Sequence, residues 1–213
     1  MKDVTEPQIS PQRMAGCDRR TQLLEIALNF FAKKGFNGTT TKEIAAAAGV
    51  TEAVIFRHFA NKQALYQAVL ESQIGCAGFQ EWMADAQACM DRNDDEGLFR
   101  AIARVIILSY SADARYERVM LFAALEGNEQ GLAHYRSFSI PIFELLRVYV
   151  VRRQREGALA GFAPGAILAA IAGMAQRYAM FTQMFGFSTE MSVDQAVDTF
   201  TEILMNGIKA RAI

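Results

Sequence analysis

Chemistry-bearing side chains crowd into the stretch TTTKEIAAAAGVTEAVIFRHFANK, residues 39–62. A carboxylate (Glu52), a guanidinium (Arg57) and an imidazole (His58) fall within seven consecutive residues, and the ammonium of Lys62 follows. Such a set serves one of two chemistries. It can move protons in a reaction, or it can bind a phosphate backbone and the base edges between its strands. Proton transfer needs a nucleophile or metal within reach of the base and a third group that orients it. The chain offers little of this. It has 2 histidines, 3 cysteines with no C-x-x-C pair, no phosphate-cradling glycine loop and no nucleophile elbow. No metal-ligand constellation is visible, and no cofactor is called for. The residue types therefore point to binding and away from catalysis.

The elements that hold these residues are helical, because apolar residues recur with a 3.6-residue period along most of the chain. TQLLEIALNFFAKKGF places Leu24, Ala27 and Phe31 on one face. Asp18 is the expected N-cap, and Gly35 the stop after Lys33 and Lys34. Thr40 followed by Glu43 is a capping box that starts a helix near Thr41 and ends it at Gly49. Thr51 caps a second short helix to about Phe59, and Asn61 caps a third from Lys62. Two short helices joined by a tight glycine turn outline a helix-turn-helix. Ile44, Ile55 and Phe59 form its inward side. Glu52, Ala53, Val54, Arg57 and His58 are left on the outward side, with Phe56 between the two.

Taken together, TQLLEIALNFFAKKGFNGTTTKEIAAAAGVTEAVIFRHFANKQAL resembles the DNA-binding domain of the TetR/AcrR family of bacterial repressors. The resemblance covers about residues 20–66 and rests on joint spacing. Its marks are Phe31-Ala32, Lys34-Gly35-Phe36, Thr39-Thr40, Ile44-Ala45, Ala48-Gly49-Val50, Phe56-x-His58-Phe59 and Asn61-Lys62. It implies an all-α fold, with an N-terminal three-helix helix-turn-helix domain joined to a larger helical ligand-binding and dimerisation domain. The expected boundaries are a mobile arm at 1–17, the DNA-binding domain at 18–66 and the larger domain at 67–213. The partners implied are a double-stranded DNA operator, a second copy of the chain and a small-molecule effector.

The helix Thr51–Phe59 is then the one that enters the major groove. Ala53 and Val54, at its N-terminal end, suit thymine methyls, and Glu52 suits a cytosine amino group. The resemblance puts Thr40, Thr41 and Lys42 beside the DNA backbone, with Thr41 and Lys42 within reach of a base. Lys62, at a helix N-terminus, suits a phosphate. Arg19 and Arg20 add sequence-independent affinity. Phe56 departs from the family, which often has Tyr there, so a phosphate contact from that hydroxyl is lost. Beside these readings stand blander ones. Arg57 and Glu52 can be plain surface charges, and His58 a packed histidine.

Charge agrees with this division. Residues 1–62 hold nine Lys/Arg against six Asp/Glu, and the remainder thirteen against seventeen, within a net charge of −1. A basic end and an acidic end suit one nucleic-acid partner and one that is not. The N-terminus lacks the features of a signal peptide. No membrane-spanning run is found, and an odd cysteine count argues against disulfides. A cytoplasmic setting follows. Cys76 and Cys89 have no activating neighbour, so a redox switch is unsupported.

Beyond residue 76 lie eight of the ten methionines and ten of the fifteen phenylalanines. Adaptable Met side chains and aromatic walls suit apolar or aromatic ligands. Phe79, Trp82, Phe99, Met120, Phe122, Phe143, Met174, Arg177, Tyr178 and Phe181 are the candidate lining, although such a stripe is more often plain core. Arg177 stands out as a charge in an apolar helix. A long helix is expected from Gln63 to Met90, and a helix near 132–156 contains Pro141. Pro164 and the Ser192/Gln195 capping box open the last two long helices. Val193, Val197, Phe200, Leu204 and Gly207 form a 4-3-4-3 seam, and the family resemblance implies dimerisation through this helix pair. The expected function is a ligand-responsive repressor that leaves a palindromic operator when it binds a small apolar or aromatic molecule. The competing reading is a constitutive DNA-binding protein with no small-molecule ligand.

Overall fold

The computed structural model describes residues 16–73 and 77–209. Its helices are α1 (Gly16–Lys34), α2 (Thr41–Ala47), α3 (Glu52–His58), α4 (Lys62–Gln73) and α5 (Ala77–Asp91), followed by α6 (Asp95–Asp113), α7 (Arg115–Glu126), α8 (Glu129–Arg155), α9 (Pro164–Ala179) and α10 (Val193–Ile208). A five-residue π-helical segment, Met180–Met184, extends α9. The described residues form no strand, only an isolated antiparallel bridge between Leu159 and Lys209. No helix among them is long and apolar enough to cross a membrane.

Local chemistry sets many of these ends. Thr40 accepts from the Glu43 N–H (3.2 Å), and the Thr40 N–H donates to Glu43 Oε2 (3.0 Å). The Ser192/Gln195 pair repeats this arrangement at α10. Asn61 Oδ1 accepts from the Ala64 N–H (2.8 Å), Asp94 from Gly97 and Asn128 from Gly131. Each such cap satisfies an N–H that the helix leaves unpaired. One boundary differs from the sequence expectation: Asp18 lies inside α1, which is already helical at Gly16, so it is not the cap. Within the span expected as one long helix lie α4 and α5, and residues 74–76 between them lie outside the described residues. The arm at 1–17 also lies outside them, apart from Gly16 and Cys17 at the start of α1. Pro141 is accommodated inside α8, which continues past it to Arg155.

Two cores form. The first gathers Leu23, Ala27, Leu28 and Phe31 of α1, Ile44 and Ala45 of α2, Ile55 of α3 and Leu65 to Leu70 of α4. It does not stop at residue 66, and it takes Val119 from α7. The second is built on α6, which packs against α5, α9 and α10. Phe99, Ile107, Ile171, Ala175, Val197 and Leu204 lie at its centre. Burying a side chain of this size stabilises the fold by about 1.5–3 kcal/mol. The α10 seam turns inward: Val197 and Leu204 are buried, and Val193 and Phe200 pack on the same core. Its spacing marks a face of this chain's own bundle, because α6 and α9 already cover it. The faces of this helix pair left outward are Ala166, Ala169, Ala170 and Gly173 of α9 and the α10 face bearing Ile203 and Gly207.

Candidate nucleic-acid interface

The turn between α2 and α3 is set by Gly49, whose φ of +66° is the left-handed conformation that suits glycine. The Val50 N–H reaches back to Ala45 O at 3.0 Å and closes the turn. Ala45, buried beneath it, lets the two helices cross closely. Of the seven residues of α3, only Ile55 is fully buried, and Phe59 follows it into the core. Ala53, Phe56 and Arg57 are exposed, while Glu52, Val54 and His58 are half-buried. Phe56 keeps 47% of its surface open, a large apolar area with no cover in the isolated chain.

The polar groups of this head are mostly engaged with one another. Thr41 donates its hydroxyl to Glu52 Oε1 at 2.6 Å, which ties the first residue of α2 to the first residue of α3. Glu52 also sits where the positive end of the α3 dipole favours a carboxylate. Thr40 is occupied by the capping box, and Glu43 forms an ion pair with Lys34 at 2.6 Å. The Lys34 ammonium and then the Thr40 bonds hold the Glu43 carboxyl down to about 2. Lys62 lies with Nζ 4.3 Å from the centre of the Phe36 ring, a cation–π contact. Burial there lowers its pKa, against the pull of Glu126 and Glu43. Lys42 and Thr51 are exposed, and Arg20 lies over the Phe59 ring. His58 departs from the outward reading: its Nε2 is buried and has no hydrogen-bond partner.

Helix α7 grips the back of the head. Arg118 Nε donates to Ala32 O (3.0 Å), and Arg115 reaches Glu25 and Asn29 of α1 (each 3.0 Å) while held by Asp113. Glu126 accepts from the backbone N–H groups of Phe36 (3.0 Å) and Asn37 (3.2 Å), capping the loop after α1. Gly35, at φ +70°, makes room: a Cβ there would land in the Glu126 carboxylate and 2.9 Å from the Phe122 ring. Sequence reasoning missed this grip. The trace it leaves is a helical face, Arg115, Arg118, Val119, Phe122 and Glu126, whose partners lie some 90 residues earlier.

The ten candidate lining residues do not gather around one space. Met120 packs against the head's core, and Phe122 lies beside Gly35 at the junction. Phe99 is fully buried in the second core. Phe79 lies between Trp82 (5.5 Å) and Phe138 of α8 (4.9 Å), its ring tilted to both. Phe143 is exposed near Gly165, and Met174 lies against the second core. At the end of α9, Arg177 lies over Phe181 at 3.4 Å, and Tyr178 donates to Met191 O at 2.8 Å. Phe181 in turn stacks on Phe187. A groove of about 370 Å³ between α6 and α10 is lined by Glu96, Arg100, Asp198, Glu202, Met205, Asn206 and Lys209, none of them among the ten.

Comparison with known proteins accounts for the head. Residues 23–69 match the model of bacterial regulatory proteins of the tetR family. YvkB of Bacillus subtilis, an uncharacterised helix-turn-helix transcriptional regulator, is 53% identical over 49 residues, which cover 23% of this chain and 26% of that protein. The transcriptional regulator TtgR of Pseudomonas putida is 34% identical over 102 residues, 48% of this chain and 47% of that protein. The matched stretches thus span half or less of these relatives' lengths. In fold, the chain is similar to a putative TetR-family transcriptional regulator from Mesorhizobium loti. The TM-score is 0.65 at 18% identity, covering 92% of this chain and all of that one. Residues 23–69 thus match the DNA-binding domain of tetR-family regulatory proteins, and the helical fold behind them is similar to that of solved proteins of this kind.

Proposed function

We propose that this regulator is a repressor that binds a palindromic operator as a homodimer and leaves it when a small apolar or aromatic molecule enters the larger domain. The observation that carries this reading is the α7 grip. Val119 is part of the head's core, and Glu126 caps the loop after α1. A shift of α7 in the larger domain therefore moves the reading head as a body. An effector that favours the shifted state by about 1.4 kcal/mol lowers operator affinity tenfold.

On the DNA, α3 enters the major groove with Ala53 and Val54 toward base edges. The Thr41 bond holds Glu52 at the start of the helix, with its second oxygen free to accept from a cytosine. Thr40, Lys42, Thr51, Arg57 and Lys62 serve the phosphates, and Phe56 packs against sugar or a thymine methyl. His58, half-buried at the edge of α3, turns its ring outward on binding. The outward faces of α9 and α10, small-residue on α9, suit close approach of a second copy. Selection from a random duplex library by the full chain tests this reading. The expected product is an inverted repeat whose half-sites lie about 34–36 Å apart, or a multiple of that. A pool without symmetry would sink the dimeric repressor.

One observation favours the alternative, a constitutive DNA-binding protein without a ligand: the ten candidate lining residues are dispersed. A thermal-shift screen of apolar and aromatic compounds separates the two readings, since a flat response belongs to the constitutive protein.

A further inference from the structure

Among the described residues, four buried side-chain atoms of the larger domain have no hydrogen-bond partner: Trp82 Nε1, Tyr116 Oη, Glu117 Oε2 and His134 Nε2. Buried polar groups are seldom left unpaired, because each forfeits its bonds to water. Here they come from three helices, α5, α7 and α8. The rings of Tyr116 and His134 meet edge-on at 6.4 Å. His134 is only 7% exposed. One turn along α8, Phe138 meets Phe79, which meets Trp82. Two aromatic groups thus lie a turn apart along α8, one holding Trp82 and the other holding Tyr116 and His134, with Glu117 next to Tyr116 on α7.

Glu117 is the decisive member. It is a carboxylate in the first turns of α7 with no cation beside it. Arg115 is committed to Asp113, Glu25 and Asn29, and Arg118 to Ala32 O. The Ser109 hydroxyl stands within reach of both Ile106 O (2.9 Å) and the Glu117 carboxylate, but it is neutral and supplies no counter-charge. Burial raises the pKa values of Glu117, Tyr110 and Tyr116, and the Glu117 carboxylate adds to the rise at both tyrosines, so their rings stand near it. Burial also lowers the pKa of His134, against the pull of the Glu71 carboxylate. A buried carboxylate without a counter-charge is costly, and the cost disappears when a cation arrives. Aromatic rings around it add cation–π attraction.

We infer that Glu117 is the charge-recognising residue of the effector site, and that the effector is an organic ammonium ion with an apolar body. The ammonium donates to Glu117, with Tyr116 and His134 as further acceptors. The apolar body lies along Phe138, Phe79 and Trp82. This inference rests on the reading of the larger domain as an effector domain.

The test uses the full chain and three probes that share one body: 4-phenylbutylamine, 4-phenylbutanol and 4-phenylbutyrate. Calorimetric titration at neutral pH is expected to give the amine a Kd at least tenfold below that of the alcohol, and no binding of the carboxylate. Glu117→Gln is expected to bring amine and alcohol within about twofold. Its melting temperature should match or exceed that of the wild type, since an unpaired buried charge is removed. Tyr116→Phe, which deletes a single hydroxyl, should keep the fold and weaken only the amine. Equal binding of amine and alcohol to the wild type would overturn the inference. So would an amine preference that persists in Glu117→Gln, or in Tyr116→Phe at full strength should the Gln variant not fold. Operator binding without probe is measured on the same sample. A chain that selects its operator but ignores the amine keeps the regulator and loses this site. A chain that prefers the amine but selects no operator keeps the site and loses the regulator.

Discussion

In the reading head, Thr40, Thr41, Glu43 and Glu52 bond to one another within two short helices, and Lys34 completes the set. In the larger domain, half-buried Trp82, Tyr116 and Glu117 and buried His134 each hold a buried polar atom that is unpaired. Apart from the buried Nε2 of His58, the head's polar groups bond to one another, as suits a rigid surface for DNA. The larger domain keeps unmet bonding capacity, which suits a region that changes state with a ligand. Helix α7 belongs to both, since it carries Val119 into the head's core and Glu117 into the unsatisfied region.

The largest expected effect would break the head alone. Ile55→Ala removes a fully buried side chain between α2 and α3, at a cost of about 2–5 kcal/mol. Circular-dichroism melting should show the loss, and operator binding should go with it. His58→Ala should leave the head folded and weaken DNA binding. If it destabilises as much as Ile55→Ala, the two faces of α3 have been assigned wrongly, and the buried Nε2 of His58 makes this a sharp contrast.

Next comes the junction. Gly35→Ala places a Cβ on a left-handed backbone and into the Glu126 carboxylate. The backbone strain alone costs about 1–2 kcal/mol. Operator binding should weaken without loss of helix content. Glu126→Gln keeps the shape but weakens two bonds to backbone N–H groups, at about 1 kcal/mol. The head should still bind its operator, with a reduced response to effector in an anisotropy competition. An unchanged response would separate the two regions and remove α7 as the link.

These differences explain what was legible. Thr40 with Glu43, Asn61 and Ser192 with Gln195 could be read from sequence because a cap is a contract between residues three apart. Gly49 was legible because it lies between the Thr40 capping box and Thr51, which stands at the start of α3 although its hydroxyl makes no cap bond. Gly35 was read as a helix stop, which is true, but its need to admit Glu126 depends on a residue 91 positions later. The Val193–Gly207 seam was correctly periodic, yet periodicity cannot say whether a face meets its own chain or another. Met120 and Phe122 looked like ligand lining because residue type reports apolarity and not which domain receives it. The Thr41–Glu52 bond and the unpaired Glu117 left no local mark at all.

A smaller effect tests the head's internal pairing through pH. The Glu43 carboxyl is held near 2 in the folded chain, below its ordinary value of 4.5. Its contribution is therefore whole above pH 4.5 and is lost as pH falls toward 2. Glu43→Gln should flatten this part of the acid melting profile. A profile identical to the wild type would show that the Lys34 pair contributes nothing. Smaller still is Thr41→Val, which frees Glu52 at a cost of about 1 kcal/mol. It should alter preference among operator bases more than affinity.

The central claim is that this head reads a specific duplex. Fluorescence anisotropy of the selected inverted repeat and of a scrambled duplex of equal length, at about 150 mM salt, tests it most directly. The account predicts binding to the repeat at least a thousandfold tighter than to the scrambled duplex. Equal affinities for the two, falling together with salt, would contradict it.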